Sequence, residues 1–158
     1  MEKIKRVSVY LWIFILVVAD QIIKLVVSTN IKNSSITIIK GFLRFWYCEN
    51  QGVAFSFGNG HVPVFIVINL LMIGGLIFYY EKNKNKFYLY DKMFFIMVIA
   101  GGISNLIDRV FRGYVIDFID VSELFNFAVF NVADIFIVCG IIGLVFSIMI
   151  KEIKVAKS

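Results

Sequence analysis

The groups in this sequence best able to do chemistry are carboxylates and carboxamides that interrupt apolar runs. Asp20, Asn105, Asn131 and Asp134 lie within or beside such runs, and Asp117 and Asp120 stand shortly before the last of them. Burying an ionisable group in an apolar run is costly, so each is a candidate for function. Asp134 stands apart from the rest. Its neighbours Val132, Ala133, Ile135 and Phe136 are apolar and no cationic residue is within reach along its own helix, so a structural role leaves its desolvation poorly compensated. Asp20 with Lys24, and Asp108 with Arg109 or Arg112, have a plainer reading as neutralising pairs at helix ends. Two aspartates within hydrogen-bonding reach do not both ionise easily, so one keeps a proton while the other stays charged. Such a pair can activate a water as general base and protonate a carbonyl oxygen or a leaving amine as general acid, which suits peptide hydrolysis without metal. Spacing makes Asp134 one member and leaves Asp117 or Asp120 as the second.

Other chemistries find little support. His61 is the only histidine and sits at the edge of an apolar run, where a surface turn residue is expected; a Ser/His/Asp triad would depend wholly on it, and HExxH cannot be written. Cys48 and Cys139 are far apart and form no CxxC pair, so neither a zinc site nor a disulfide framework is indicated, and no metal or cofactor is expected.

The elements that must position these groups follow from composition. The chain has 158 residues, 60% hydrophobic and 17% charged, with one proline and a mean hydropathy of +0.87. That places it outside the ordinary soluble class, and its aromatic content excludes disorder. Four segments are long enough to span about 30 Å of hydrocarbon: about 7–27, 62–80, 93–110 and 127–150. Ten of the 16 basic residues (Lys3, Lys5, Arg6, Lys82, Lys84, Lys86, Lys92, Lys151, Lys154 and Lys157) flank the spans on one side. The positive-inside rule then puts both termini in the cytoplasm and segments 28–61 and 111–126 outside. Scattered between apolar runs, these charges do not make a nucleic-acid surface. A basic start before an apolar run also resembles a secretory signal peptide, but a cleavage pattern is missing and the first span is expected to be retained.

Depth brings the polar groups together. At about 1.5 Å per residue, Asp20, Asn105, Arg109 and Asp134 lie about 18 to 25 Å from the inner face, on three different spans. Asp20 with Lys24, Asn105 with Arg109, and Asn131 with Asp134 each share a helix face. A polar site near the outer interface follows. The outer segments add Asp117, Asp120 and Asn50, with Gly52 close by, and the β-branched run Ile36–Ile39 with the alternation around Phe42–Trp46 suits short strands. The expected fold is a mainly α membrane domain over 1–158, with four transmembrane helices and a small extracytoplasmic β-containing segment.

At these residues the sequence resembles the bacterial lipoprotein signal peptidases (signal peptidase II), a family of four-span aspartic peptidases. DQIIK (20–24) is similar to the family's DQxxK box, NQGVAF (50–55) to NxGxAF, GGISNLIDR (101–109) to GGxxGNxxDR, VIDFID (115–120) to VxDF, and FNVAD (130–134) to FNxAD. The five boxes come in the family's order. Within the third box, Ser104 stands where the pattern has Gly before its Asn. The resemblance implies that Asp117 and Asp134 form the catalytic dyad and that Asn50, Asn105, Arg109 and Asn131 hold the substrate's extended backbone. It further implies that Asp20, Lys24 and Asp108 brace the site while Gly52 and Ala54 keep the outer loop close. The implied partner is a prolipoprotein whose Cys already carries diacylglycerol, cleaved just before that Cys by a monomeric multi-pass enzyme of the bacterial cell membrane, in contact with membrane lipid. A small proton- or cation-coupled transporter is the alternative; it would favour polar groups at the midplane and a repeat between halves, and the sequence has neither.

Overall fold

A computed structural model describes residues 2–52, 61–125 and 127–156, with side chains from 9 to 153 among them. Four helices carry the chain to and fro: α1 (Glu2–Asn30), α2 (Val62–Asn83), α3 (Leu89–Arg112) and α4 (Val132–Ala156). Each contains a stretch long and apolar enough to cross a membrane. Strands β1 (Ser35–Ile39), β2 (Leu43–Asn50) and β3 (Val115–Asp120) form one antiparallel sheet in the order β1-β2-β3, at the end of the bundle where α1 and α3 finish. This is a mainly helical membrane fold with a small sheet.

Helix α3 is the axis of the bundle. It packs against the other three helices, and 61% of its most apolar stretch is buried against 6% for α2. In lipid, apolar side chains gain little by leaving their surroundings, so helices associate through close packing of small residues. The α3–α4 contact is made this way: a Cβ on Gly101 would land on the Ala133 carbonyl oxygen, and one on Gly143 would enter the Phe94 ring. At the end away from the sheet, Asp91 in the first turn of α3 accepts from the Tyr88 N–H at 2.7 Å, from Lys151 Nζ at 2.7 Å and from the Ser147 hydroxyl, which ties the two helices together.

A second apolar cluster, Val27, Ile31, Tyr47, Ile116 and Phe118, fastens the sheet to the end of α1. Strand β3 is launched by Gly113, which ends α3 in the left-handed conformation (φ +77°) with its N–H on the Arg109 carbonyl at 3.2 Å.

The fourth helix begins at Val132, whereas the apolar run suggests a start near Phe127. Sheet pairing holds the intervening backbone. The Phe130 carbonyl accepts from the Phe118 and Ile119 N–H groups at 3.0 and 2.8 Å, and its own N–H donates to the Ile119 carbonyl at 3.1 Å. Asn131 then starts the helix: its Oδ1 accepts from the Asp134 N–H at 3.0 Å while Asp134 Oδ2 accepts from the Asn131 N–H at 3.1 Å. That reciprocal pair is a capping box. Hydropathy cannot register such a stop, because Phe127 to Phe130 are as apolar as the helix that follows.

Candidate active site

Two polar assemblies meet where α1, α3, α4 and β3 converge. The first is ionic and closed. Lys24 Nζ lies 2.9 Å from Asp20 Oδ2 and 2.8 Å from Asp108 Oδ2, with all three side chains fully buried, and donates to Asn105 Oδ1 at 2.9 Å. Arg112 adds a second cation on Asp108 Oδ1, where Gln21 Nε2 also donates at 3.0 Å. Asp20 spends its other oxygen on the Ala133 N–H at 2.9 Å, near the positive end of α4. Ser104, at the position where the resemblance expects Gly, donates its hydroxyl to Asp20 Oδ2 at 2.6 Å and accepts from Gln21 at 2.9 Å. The serine is therefore an added tie between α1 and α3 rather than a tolerated gap-filler.

The second assembly contains Asp117 and Asp134. Asp117 Oδ1 accepts from Asn131 Nδ2 at 2.6 Å and its Oδ2 from Asn50 Nδ2 at 2.9 Å. Asp134 Oδ1 accepts from Asn105 Nδ2 at 2.7 Å, and its Oδ2 is held by the Asn131 N–H of the capping box. Asn131 thus touches both carboxylates, through its side chain and its main chain. Burial, and then the charge of Asp134, push the Asp117 carboxyl up to about 7, against a partial pull downward from Asn50 and Asn131. A carboxyl so placed exchanges its proton near neutral pH.

Strand geometry separates the two aspartates that spacing alone left equivalent. Residues three apart on a strand point to opposite faces, so Asp117 reaches the polar centre while Asp120 turns to Arg44 Nε at 2.6 Å and the Ser122 N–H at 2.8 Å. Burial raises Asp120, but the bonds from Ser122 and Arg44 outweigh it and leave the carboxyl below its ordinary range.

Both carboxylates border a cavity of about 520 Å³ whose walls include Asn50, Asn69, Asn105, Arg109 and the apolar face of α4. Arg109 reaches across it, donating from Nη2 to the Gly52 carbonyl at 2.8 Å, while its buried Nε has no hydrogen-bond partner among the described residues. Gly52 is held from the other side by its N–H on Asn50 Oδ1 at 3.0 Å. Ala54 lies outside the described residues. Of the expected site residues, then, Asp20, Lys24, Asp108, Asn50, Gly52, Asn105, Arg109, Asn131, Asp117 and Asp134 all fall within these linked networks. Gln21, the second residue of the DQIIK box, and Asn69 add to the expected set. Asn69 had a signal, being the one amide in a span without charge.

Four membrane-length helices folded round a pair of carboxylates define a polytopic membrane protein with a polar centre inside the bundle. A family model described as "Signal peptidase (SPase) II" matches residues 12–150, and the chain belongs to that family of membrane peptidases. The lipoprotein signal peptidase of Streptococcus thermophilus is 36% identical over 149 residues, covering 94% of this chain and 96% of its own. That of Clostridioides difficile is 35% identical over 148 residues, covering 92% and 97%. Two solved chains described as bacterial membrane enzyme structures by the in meso method superpose with TM-scores of 0.82 and 0.78, at 27% and 28% identity. The first match covers 92% of this chain and 89% of the solved one, the second 89% and 92%. Family membership sets the transporter reading aside.

Proposed function

We propose that the chain is an aspartic endopeptidase that removes signal peptides from diacylglyceryl-modified prolipoproteins, cutting just before the lipidated Cys, with Asp117 and Asp134 as its catalytic pair. One observation carries the reading: two carboxylates face one cavity, share Asn131, and among the described residues have only amide donors as hydrogen-bond partners. Neutral donors orient a carboxylate without fixing its charge, so the pair can hold one proton between them. In the reaction, the ionised member takes a proton from water as the water oxygen bonds to the scissile carbonyl carbon. The protonated member delivers its proton to the carbonyl oxygen. Collapse of the tetrahedral diol breaks the C–N bond, with one proton passing to the leaving nitrogen and the pair returning to its singly protonated state.

The remaining residues divide by what they touch. Asn50, Asn105 and Asn131 fix the carboxylates; Arg109, with its Nε unspent, meets the substrate's extended backbone; Asp20, Lys24 and Asp108 brace α1, α3 and α4; Gly52 keeps the outer segment close. Excess basic residues on the other side of the bundle support cytoplasmic termini and a site near the outer face, where a lipidated Cys at the interface meets water. One chain supplies the whole network, which supports a monomer acting as a single domain.

The test is Asp117→Asn and Asp134→Asn, each assayed in membranes for accumulation of lipid-modified precursor. Both variants should accumulate it; wild-type processing by either sinks the dyad. Wild-type enzyme stripped with a chelator should stay active, and loss restored only by added metal would overturn the metal-free mechanism.

A further inference from the structure

The amides around the carboxylates are committed. Asn50 donates to Asp117 and accepts from Gly52; Asn105 donates to Asp134 and accepts from Lys24 and Asn131; Asn131 donates to Asp117 and accepts from Asp134. Asn69 is the exception in this cavity. Its amide makes no hydrogen bond to any described residue, yet it lines the same wall as Arg109 and Asp134. It is also the one hydrogen-bonding side chain between Pro63 and Phe78 in α2, on the stripe with Phe65 and Ile73 that turns toward α3. Phe65, one turn away, lies under the Arg109 guanidinium at 5.8 Å.

An unpaired amide at membrane depth is costly unless something arrives to pair it. Asn69 is about 10 Å along α2 from Val62, and Asn105 is about 10 Å along α3 from Arg112, so the two lie level. Facing them, α4 offers Ile135, Val138 and Cys139. A substrate helix must unwind to present its scissile bond, and each residue unwound frees main-chain N–H and C=O groups that have lost their i to i−4 partners. On the signal-peptide side those groups lie inside the membrane, where water cannot satisfy them.

We propose that Asn69 is a positioning residue whose amide pairs with the unwound main chain of the substrate on the signal-peptide side of the scissile bond. This rests on the peptidase reading above. The cavity places Asn69 one helix across from the carboxylates, so the pairing sets how far the substrate backbone descends before it is cut.

The experiment uses purified full-length enzyme in lipid nanodiscs with a synthetic diacylglyceryl-Cys lipopeptide. Asn69→Leu should lower kcat/KM about ten-fold, mostly through KM, and Asn69→Ser, which keeps a donor and an acceptor, should recover most of it. Lipopeptides with a single ester in place of the second, third or fourth peptide bond before the Cys test the partner directly. At least one ester should slow wild type and leave Asn69→Leu no slower than with the all-amide peptide. A kcat/KM for Asn69→Leu within about two-fold of wild type, in protein with unchanged thermal unfolding, overturns the inference, as does an ester penalty equal in both proteins. Failure of wild type itself to cleave the lipopeptide would instead overturn the peptidase reading.

Discussion

The Asp20–Lys24–Asp108 cluster and the Asp117–Asp134 pair are adjacent and equally rich in carboxylates, yet they are built on opposite terms. In the first, two buried carboxylates meet Lys24 and Arg112, so charge is cancelled and every oxygen has a fixed partner. In the second, the carboxylates meet, among the described residues, only Asn side chains and one main-chain N–H, and both open on a cavity. Cations balance the charge of the first group and suit it to a purely mechanical task. Amides fix the geometry of the second without adding a countercharge. Asn105 joins the two, accepting from Lys24 while donating to Asp134, so the rigid half orients the reactive half.

Substitutions should break the two halves differently. Asp117→Asn or Asp134→Asn should cut turnover at least about 1,000-fold while the protein stays folded, measured as rate against thermal unfolding. Lys24→Met should do the reverse, costing about 3–5 kcal/mol of stability by stranding Asp20 and Asp108, with activity falling as the folded fraction falls. Gly101→Ala probes the packing that presents one half to the other. Its Cβ meets the Ala133 carbonyl oxygen and Ile137, so a loss of about 1–3 kcal/mol is expected in a chemical unfolding series.

The sharpest contrast is in pH. Asp117 is raised to about 7, so on the proposed mechanism the proton that the pair needs is present below that value and lost above it. Activity should therefore fall about ten-fold per pH unit beyond roughly pH 8. The same shift means that between the ordinary value of 3.8 and about 7 the folded chain keeps a proton the unfolded chain has shed, and stability declines as pH rises through that window. Asp117→Asn should flatten the decline, by about 5–10 °C in unfolding temperature between pH 5 and pH 8. Asp120→Asn, on the other strand face with Arg44, should change the rate less than about three-fold; a larger loss would mean that the face assignment is wrong.

How much of this was legible in the sequence depends on the range of the interaction. Spans follow from runs of apolar residues, and Asp134 stood out because nothing along its own helix could neutralise it. Spacing alone leaves Asp117 and Asp120 equivalent; once Val115–Asp120 is a strand, period-two alternation separates them at once. That strand forms by pairing with β2, about seventy residues earlier, in a register linking Cys48 to Asp117 and Arg44 to Asp120. Local periodicity carries no trace of such a partner. Likewise Asn131 reads as one polar residue beside Asp134 until the sheet bond at Phe130 forces the helix to begin just after it. Family resemblance had named Ser104 as a departure, but its bonds to Asp20 and Gln21 depend on the approach of α1 and α3, which no single segment encodes.

Asn131 has a further consequence for how the enzyme fails. The residue that starts α4 is also the one that steadies both carboxylates, so the first helical turn and the site cannot come apart separately. Helix ends fray before helices melt. On warming, therefore, catalysis should disappear while the four spans are still intact and helical, and the temperature at which activity is lost should lie below that of global unfolding. In this chain the cap acts as a fuse.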